Sequence, residues 1–225
     1  MIINKFCCKS AYKLIKYKHI SNKSWGDILN YMEIIENKIK ENHGIITNRE
    51  LVKNNIPTIY LHRMVKNGRL ARVDRGVYIS KEGDYDEYYF FSNRYDVPIF
   101  SYRSSLYLHD VTDFIPQKME VTVYRGYNAH RIDKNVIVHY VSKDIYDLGI
   151  TKVKTKYGNI VKAYNKERTF CDFVKSRKEI DSELFSKTIN NYIKDKNKDL
   201  NKLYAYAKKM KIEREVSEII EVIYE

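Results

Sequence analysis

From Trp25 to Asn42 apolar side chains recur at steps of three and four, at Ile28, Leu29, Met32, Ile35 and Ile39. That spacing predicts an amphipathic helix, with Gly44 as its stop. Thr47-Asn-Arg-Glu50 fits a capping box: the Thr47 hydroxyl accepts from the residue-50 amide, and Glu50 reaches back to the residue-47 amide. A second helix therefore begins there and ends near Asn54-Asn55. Ile56-Pro57 turns the chain into a third helix over roughly residues 57–66, closed by Asn67-Gly68. Within it Leu61, Met64 and Val65 share one face, which leaves Thr58, Ile59, His62, Arg63 and Lys66 largely on the other. Two short helices joined this tightly have the spacing of a helix-turn-helix. Leu70, Val73, Val77 and Ile79 then alternate around Asp74-Arg75-Gly76, which predicts a β-hairpin, the wing.

Residues 81–87 are polar and acidic and contain a glycine, the pattern of a domain boundary. Beyond it the pattern mixes periods. A helix is expected over 86–95, a short strand at Ile99-Phe100, and a helix capped by Ser101 and running through Leu108. Met119–Tyr124 and Val136–Val141 are β-rich, and Thr151–Thr155 with Asn159–Ala163 reads as a hairpin around Tyr157-Gly158. Three helices close the chain, at about 166–176, 182–194 and 199–223, the last broken near Lys209–Lys211. The fold class is α+β. A winged helix-turn-helix over 26–81 precedes a mixed α/β domain over 86–225 that ends in helices. Residues 1–25, with six lysines among scattered aromatics, read as a basic flexible extension. Its functional reading is a non-specific DNA arm; a solvated tail or an extended translation start explains it more simply.

Charge sharpens this division. The formal charge of +12 is concentrated at the start: residues 1–80 hold 15 Lys and Arg against 6 Asp and Glu, and residues 81–225 hold 26 against 23. A local basic excess suits a phosphate backbone or an anionic surface. Cys7, Cys8 and Cys171 make neither a disulfide framework nor a metal spacing, so a reduced, cytoplasmic protein without a metal or other cofactor is expected. No run approaches the roughly 20 apolar residues that span a bilayer. The 21 tyrosines are explained most simply by biased composition.

The chemistry follows from these placements. A helix in the major groove presents side chains to base edges, and flanking elements hold phosphates. Thr58, Ile59, His62 and Arg63 are the candidate readers, with Arg63 suited to a guanine and Ile59 to a thymine methyl group. Lys66, Arg69, Arg72 and Arg75 suit phosphates or, at the wing tip, a minor groove. In the C-terminal domain Arg103, Arg125, Arg131 and Arg168 form a candidate basic surface for nucleic acid or a partner, or are simply solvated charges. No catalytic set is visible. Asn165 is a plausible N-cap, Arg168 and Asp172 are four apart and can pair, and Cys171 has no activating neighbour in its helix. Neither His109-Asp110 nor Glu120 with Asp133 has the spacing of a nuclease or metal site, and the chain has no Gly-Ser dipeptide.

The run Ile56-Pro-x-x-Tyr-Leu-x-Arg-Met-Val-x-x-Gly-x-Leu-x-Arg-Val-x-Arg-Gly-Val-Tyr78 resembles the N-terminal segment of the AbiEi antitoxins of abortive-infection systems. Phe-Ser-Tyr-Arg-Ser-Ser-Leu-Tyr-Leu-His109, Val-Thr-Val-Tyr-Arg-Gly-Tyr127, Tyr146-Asp-Leu-Gly-Ile150 and Lys166-Glu-Arg-Thr-Phe-Cys-Asp172 are similar to later segments of that family. Only residues 1–25 lie outside the likeness. The resemblance implies a type IV, phage-defence antitoxin. Its N-terminal domain would bind double-stranded inverted repeats before its own operon, with two copies on two half-sites, and repress transcription. Its C-terminal domain would oppose a nucleotidyltransferase-type toxin without a stable complex. Two other readings stay open on the residues themselves: a nucleic-acid-modifying enzyme steered by the winged helix, and a regulator that binds the toxin directly.

Overall fold

The computed structural model describes residues 25–112 and 114–224, so the expected extension lies outside the described residues, as do the side chains of Ile28 and Leu29. The fold is mixed α+β with two sheets, and its two compact units part between Tyr85 and Asp86.

In the first unit α1 (Trp25–Glu41) is followed by β1 (Ile45–Thr47), α2 (Asn48–Lys53), α3 (Ile59–Lys66), β2 (Leu70–Asp74) and β3 (Val77–Ser80). Gly44 separates α1 from β1 because only glycine fits: its φ is +86°, and a Cβ would stand 2.2 Å from Gly83 Cα. The capping box forms as expected. Glu50 N donates to Thr47 Oγ1 at 3.2 Å, and Thr47 N donates to Glu50 Oε2 at 2.8 Å. Ile35, Ile39, Ile46, Leu51, Leu61, Met64, Leu70 and Tyr78 pack as one core.

The three strands are antiparallel in the order β1-β3-β2, with Ile46 opposite Tyr78 and Ala71 opposite Ile79. Sequence patterning missed β1, which has three residues, all buried, and hence no alternation to read. It also misread β3, where Val77, Tyr78 and Ile79 are all buried. As the central strand β3 is covered on both faces: Tyr78 meets the helices, while the Ile79 side chain lies against Gly83. The pairing register shifts between Arg72 and Asp74, so Val73 sits in an irregularity rather than on the expected apolar face.

The second unit runs α4 (Glu87–Arg94), β4 (Ile99–Phe100), α5 (Tyr102–Leu108), β5 (Glu120–Tyr124), β6 (Ile137–Val141), α6 (Lys143–Tyr146), β7 (Ile150–Lys154), β8 (Ile160–Tyr164), α7 (Lys166–Lys175), α8 (Ser182–Lys194), α9 (Leu200–Met210) and α10 (Glu213–Tyr224), with a 3-10 turn at Arg177–Glu179. Its sheet order is β6-β5-β4-β8-β7. β5 and β6 are parallel, with Val123 beside Tyr140; β4 is antiparallel to β5 and parallel to β8; β7 and β8 form the expected hairpin. Eight consecutive residues of α7, Glu167 to Val174, are buried, because this helix is wrapped by α5, α8 and α9 rather than lying on a surface. The break between α9 and α10 falls at Lys211, whose φ is +58°.

Ser101 precedes α5 as expected but does not cap it with its side chain. The hydroxyl instead accepts from Thr122 Oγ1 at 2.9 Å, a cross-strand bond inside the core. Among the described residues no helix is long and apolar enough to cross a membrane.

Candidate nucleic-acid interface

The exposed face of α3 is set by what the other face buries. Tyr60, Leu61 and Met64 are in the core, Val65 is half-buried, and His62, Arg63 and Lys66 are exposed together with Ile59, at 39%. Tyr60 was absent from the expected buried face. It completes the i, i+1, i+4 pattern that anchors the helix. Thr58 is the N-cap residue, half-buried, with a helical backbone and no capping bond from its side chain. The Arg63 guanidinium lies 5.6 Å from the centroid of the Tyr60 ring, and the His62 imidazole meets the buried Tyr78 ring edge-on at 6.2 Å. Both side chains thus rest against rigid rings, and no acidic residue occurs in α3.

The hairpin stands on the start of α2. Gly76, at φ +76°, accepts from Asn48 N at 2.8 Å, and Arg75 N donates to Asp74 Oδ1 at 2.6 Å, fixing the turn that carries the exposed Arg75. Arg72 is exposed and its Nε donates to the Asp74 carbonyl at 3.2 Å. Arg69 is exposed but pairs with Glu36 at 2.8 Å, so a phosphate would compete with a carboxylate for it. Sequence reasoning passed over Arg49, exposed in the first turn of α2 beside Asn48; its signal was its place inside the capping box.

The four arginines of the expected C-terminal surface do not form one. Arg168 is fully buried, which corrects its assignment to that surface. Its Nε donates to Asp172 Oδ1 at 3.0 Å, one Nη donates to the carbonyls of Ile145 and Leu148, and its Cζ lies 4.2 Å from the Tyr164 ring centroid. Gly149 makes room for it, since a Cβ there would stand 2.6 Å from Arg168 Cβ. The segments Tyr146–Ile150 and Lys166–Asp172 therefore meet in one buried polar knot. Burial pushes the Asp172 carboxyl up against the opposing pull of Arg168.

Arg103 is half-buried and holds the buried Glu120 at 2.7 Å, with His139 Nε2 at 2.9 Å from the other carboxylate oxygen. Arg125 and Arg131 are exposed. Cys171 is fully buried and burial pushes its thiol up, away from the reactive thiolate. Among the described residues no group of three or more His, Cys, Asp and Glu is placed to hold a metal ion.

Residues 33–81 match the family described as "Transcriptional regulator, AbiEi antitoxin". No curated protein matches the chain. Among solved structures the chain is similar to the crystal structure of the RV2827C protein from Mycobacterium tuberculosis, with a TM-score of 0.48 and 9% identity over 80% of this chain and 71% of that one. The resemblance carried by residues 56–78 is thus borne out, and residues 33–81, from within α1 to just past β3, are similar to the AbiEi-antitoxin transcriptional regulators.

Proposed function

We propose that the chain is a cytoplasmic DNA-binding antitoxin that represses its own operon. Residues 26–81 act as a winged helix-turn-helix: α3 enters the major groove, and the β2–β3 hairpin is the wing. Thr58, Ile59, His62 and Arg63 contact base edges; Lys66, Arg72 and Arg75 contact phosphates, with Arg69 joining once it leaves Glu36. The observation that carries this reading is the exposed face of α3, where Ile59, His62, Arg63 and Lys66 stand together without an acidic neighbour in the helix. Two copies occupy the half-sites of an inverted repeat, since protein symmetry matches operator symmetry. Residues 86–225 counter a nucleotidyltransferase-type toxin without a stable complex and without catalysis of their own.

Footprinting on the DNA upstream of the reading frame tests the regulatory half. Protection of paired, inverted half-sites is expected, whereas equal affinity for that DNA and for a shuffled duplex would overturn it. Co-purification with the toxin at stoichiometric yield would overturn the indirect antitoxic action.

A further inference from the structure

Arg63 is held on α3 in a way that its neighbouring arginines are not. Helix side chains lean toward the N-terminus and meet at a spacing of three residues, so the residue-63 side chain falls back over residue 60. The Arg63 Cζ stands 5.6 Å from the Tyr60 ring centroid. That contact is the guanidinium's whole attachment, since it makes no hydrogen bond and no ion pair among the described residues. The ring is itself fixed. Tyr60 is 5% exposed, belongs to the core of the first unit, and meets the Tyr31 ring of α1 with centroids 5.7 Å apart.

What holds an arginine decides what it has left to offer. Arg69 gives an Nη to Glu36 at 2.8 Å, and Arg72 gives its Nε to the Asp74 carbonyl at 3.2 Å, so each has a donor in use. The Arg75 side chain keeps all its donors, but among the described residues nothing fixes it. Arg63 is both fixed and free. A ring face attracts a guanidinium through its quadrupole and offers it no oxygen acceptor, so the fork that matches guanine O6 and N7 stays unoccupied while its position is set. An arginine already confined in this way loses less side-chain entropy when it docks.

We infer that Tyr60 is a specificity-determining positioning residue: from inside the core it holds the Arg63 guanidinium for base readout without taking up one of its donors. This rests on the reading of α3 as the helix in the major groove. Tyr60 is too buried to reach a base edge, so its effect passes through Arg63.

The test is a double-mutant cycle on the full chain. Binding is read by fluorescence anisotropy with a labelled duplex from the DNA upstream of the reading frame, its single-base variants and a shuffled duplex. Tyr60→Leu, which fills the core without a ring, should weaken binding to the upstream duplex about two- to fivefold and reduce discrimination at the base position where Arg63→Ala loses it. Its binding to the shuffled duplex should be unchanged, and Tyr60→Phe, which keeps the ring, should match wild type. In the Arg63→Ala background Tyr60→Leu should cost nothing further, whereas a merely structural Tyr60 would weaken both duplexes in either background. The inference is overturned if Tyr60→Leu discriminates as wild type does, if its loss persists without Arg63, or if Tyr60→Phe falls equally. Arg63→Ala with wild-type preference at every base would overturn the reading of α3 as well, so the two failures are distinguishable. A second measurement needs no core substitution. In the free wild-type protein, nitrogen relaxation by NMR should find the Arg63 Nε–H more ordered than that of Arg75, and equal mobility would overturn the inference. Circular dichroism and melting establish that each variant is folded.

Discussion

The Arg168 guanidinium is out of water, and several contacts offset that loss: the Asp172 carboxylate, two backbone carbonyls and the Tyr164 ring. Removing one member of such a pair leaves a buried charge without its partner, which costs about 3–5 kcal/mol. Arg168→Met is expected to lose that much in urea denaturation, and Arg168→Met with Asp172→Leu to recover most of it. A single-variant loss under about 1 kcal/mol would contradict the assignment of the pair as a structural knot. His109 gives a pH dependence. Its Nε2 donates to the Tyr164 carbonyl at 2.8 Å, and burial pushes the imidazole below its ordinary value. A histidine held neutral in the fold contributes stability that is present above its unfolded value of about 6.5 and is lost as pH falls through the lower folded value. The urea midpoint should therefore fall between about pH 7 and about pH 5, and by less in His109→Gln. Equal falls in the two proteins would exclude His109 as a source.

At the scale of elements, α2 is only six residues long and depends on its ends. The Thr47–Glu50 box satisfies two amides that the helix itself cannot, so Thr47→Ala should cost about 0.5–2 kcal/mol in a denaturant titration while leaving the β1–β3 register intact. No measurable loss would mean that tertiary packing alone holds α2. The hairpin is tied to the same helix through Asn48 and Gly76, which positions Arg75. Loss of one phosphate contact lowers the salt slope by about 0.9, so Arg75→Ala should show that change on duplex DNA. An unaltered slope would count against the wing. Elements with a period or a cap were legible in the sequence: α1, the capping box, the β7–β8 hairpin and the break at Lys211. β1 and α6 were not, since three residues and one turn are too short to display a period. The Ser101 hydroxyl was not, because its partner Thr122 is 21 residues away and meets it only once the sheet has formed.

For the whole molecule, the two units differ in how much of their chemistry sequence could reach. The face of α3 was legible because a single helix fixes it by geometry: Leu61 and Met64 turn inward, and His62 and Arg63 must then turn out. The grouping of Arg103, Arg125, Arg131 and Arg168 was not, because only tertiary packing separates an arginine sealed under Tyr164 and one held by Glu120 from two left in solvent. The central claim is that α3 reads DNA sequence. Its most direct test is the affinity of wild type and Arg63→Ala for the upstream operator and for a panel of its single-base variants. The account predicts that Arg63→Ala loses about 1–3 kcal/mol on the operator and no longer discriminates at one base position that wild type reads. An identical preference at every position in the two proteins would contradict it.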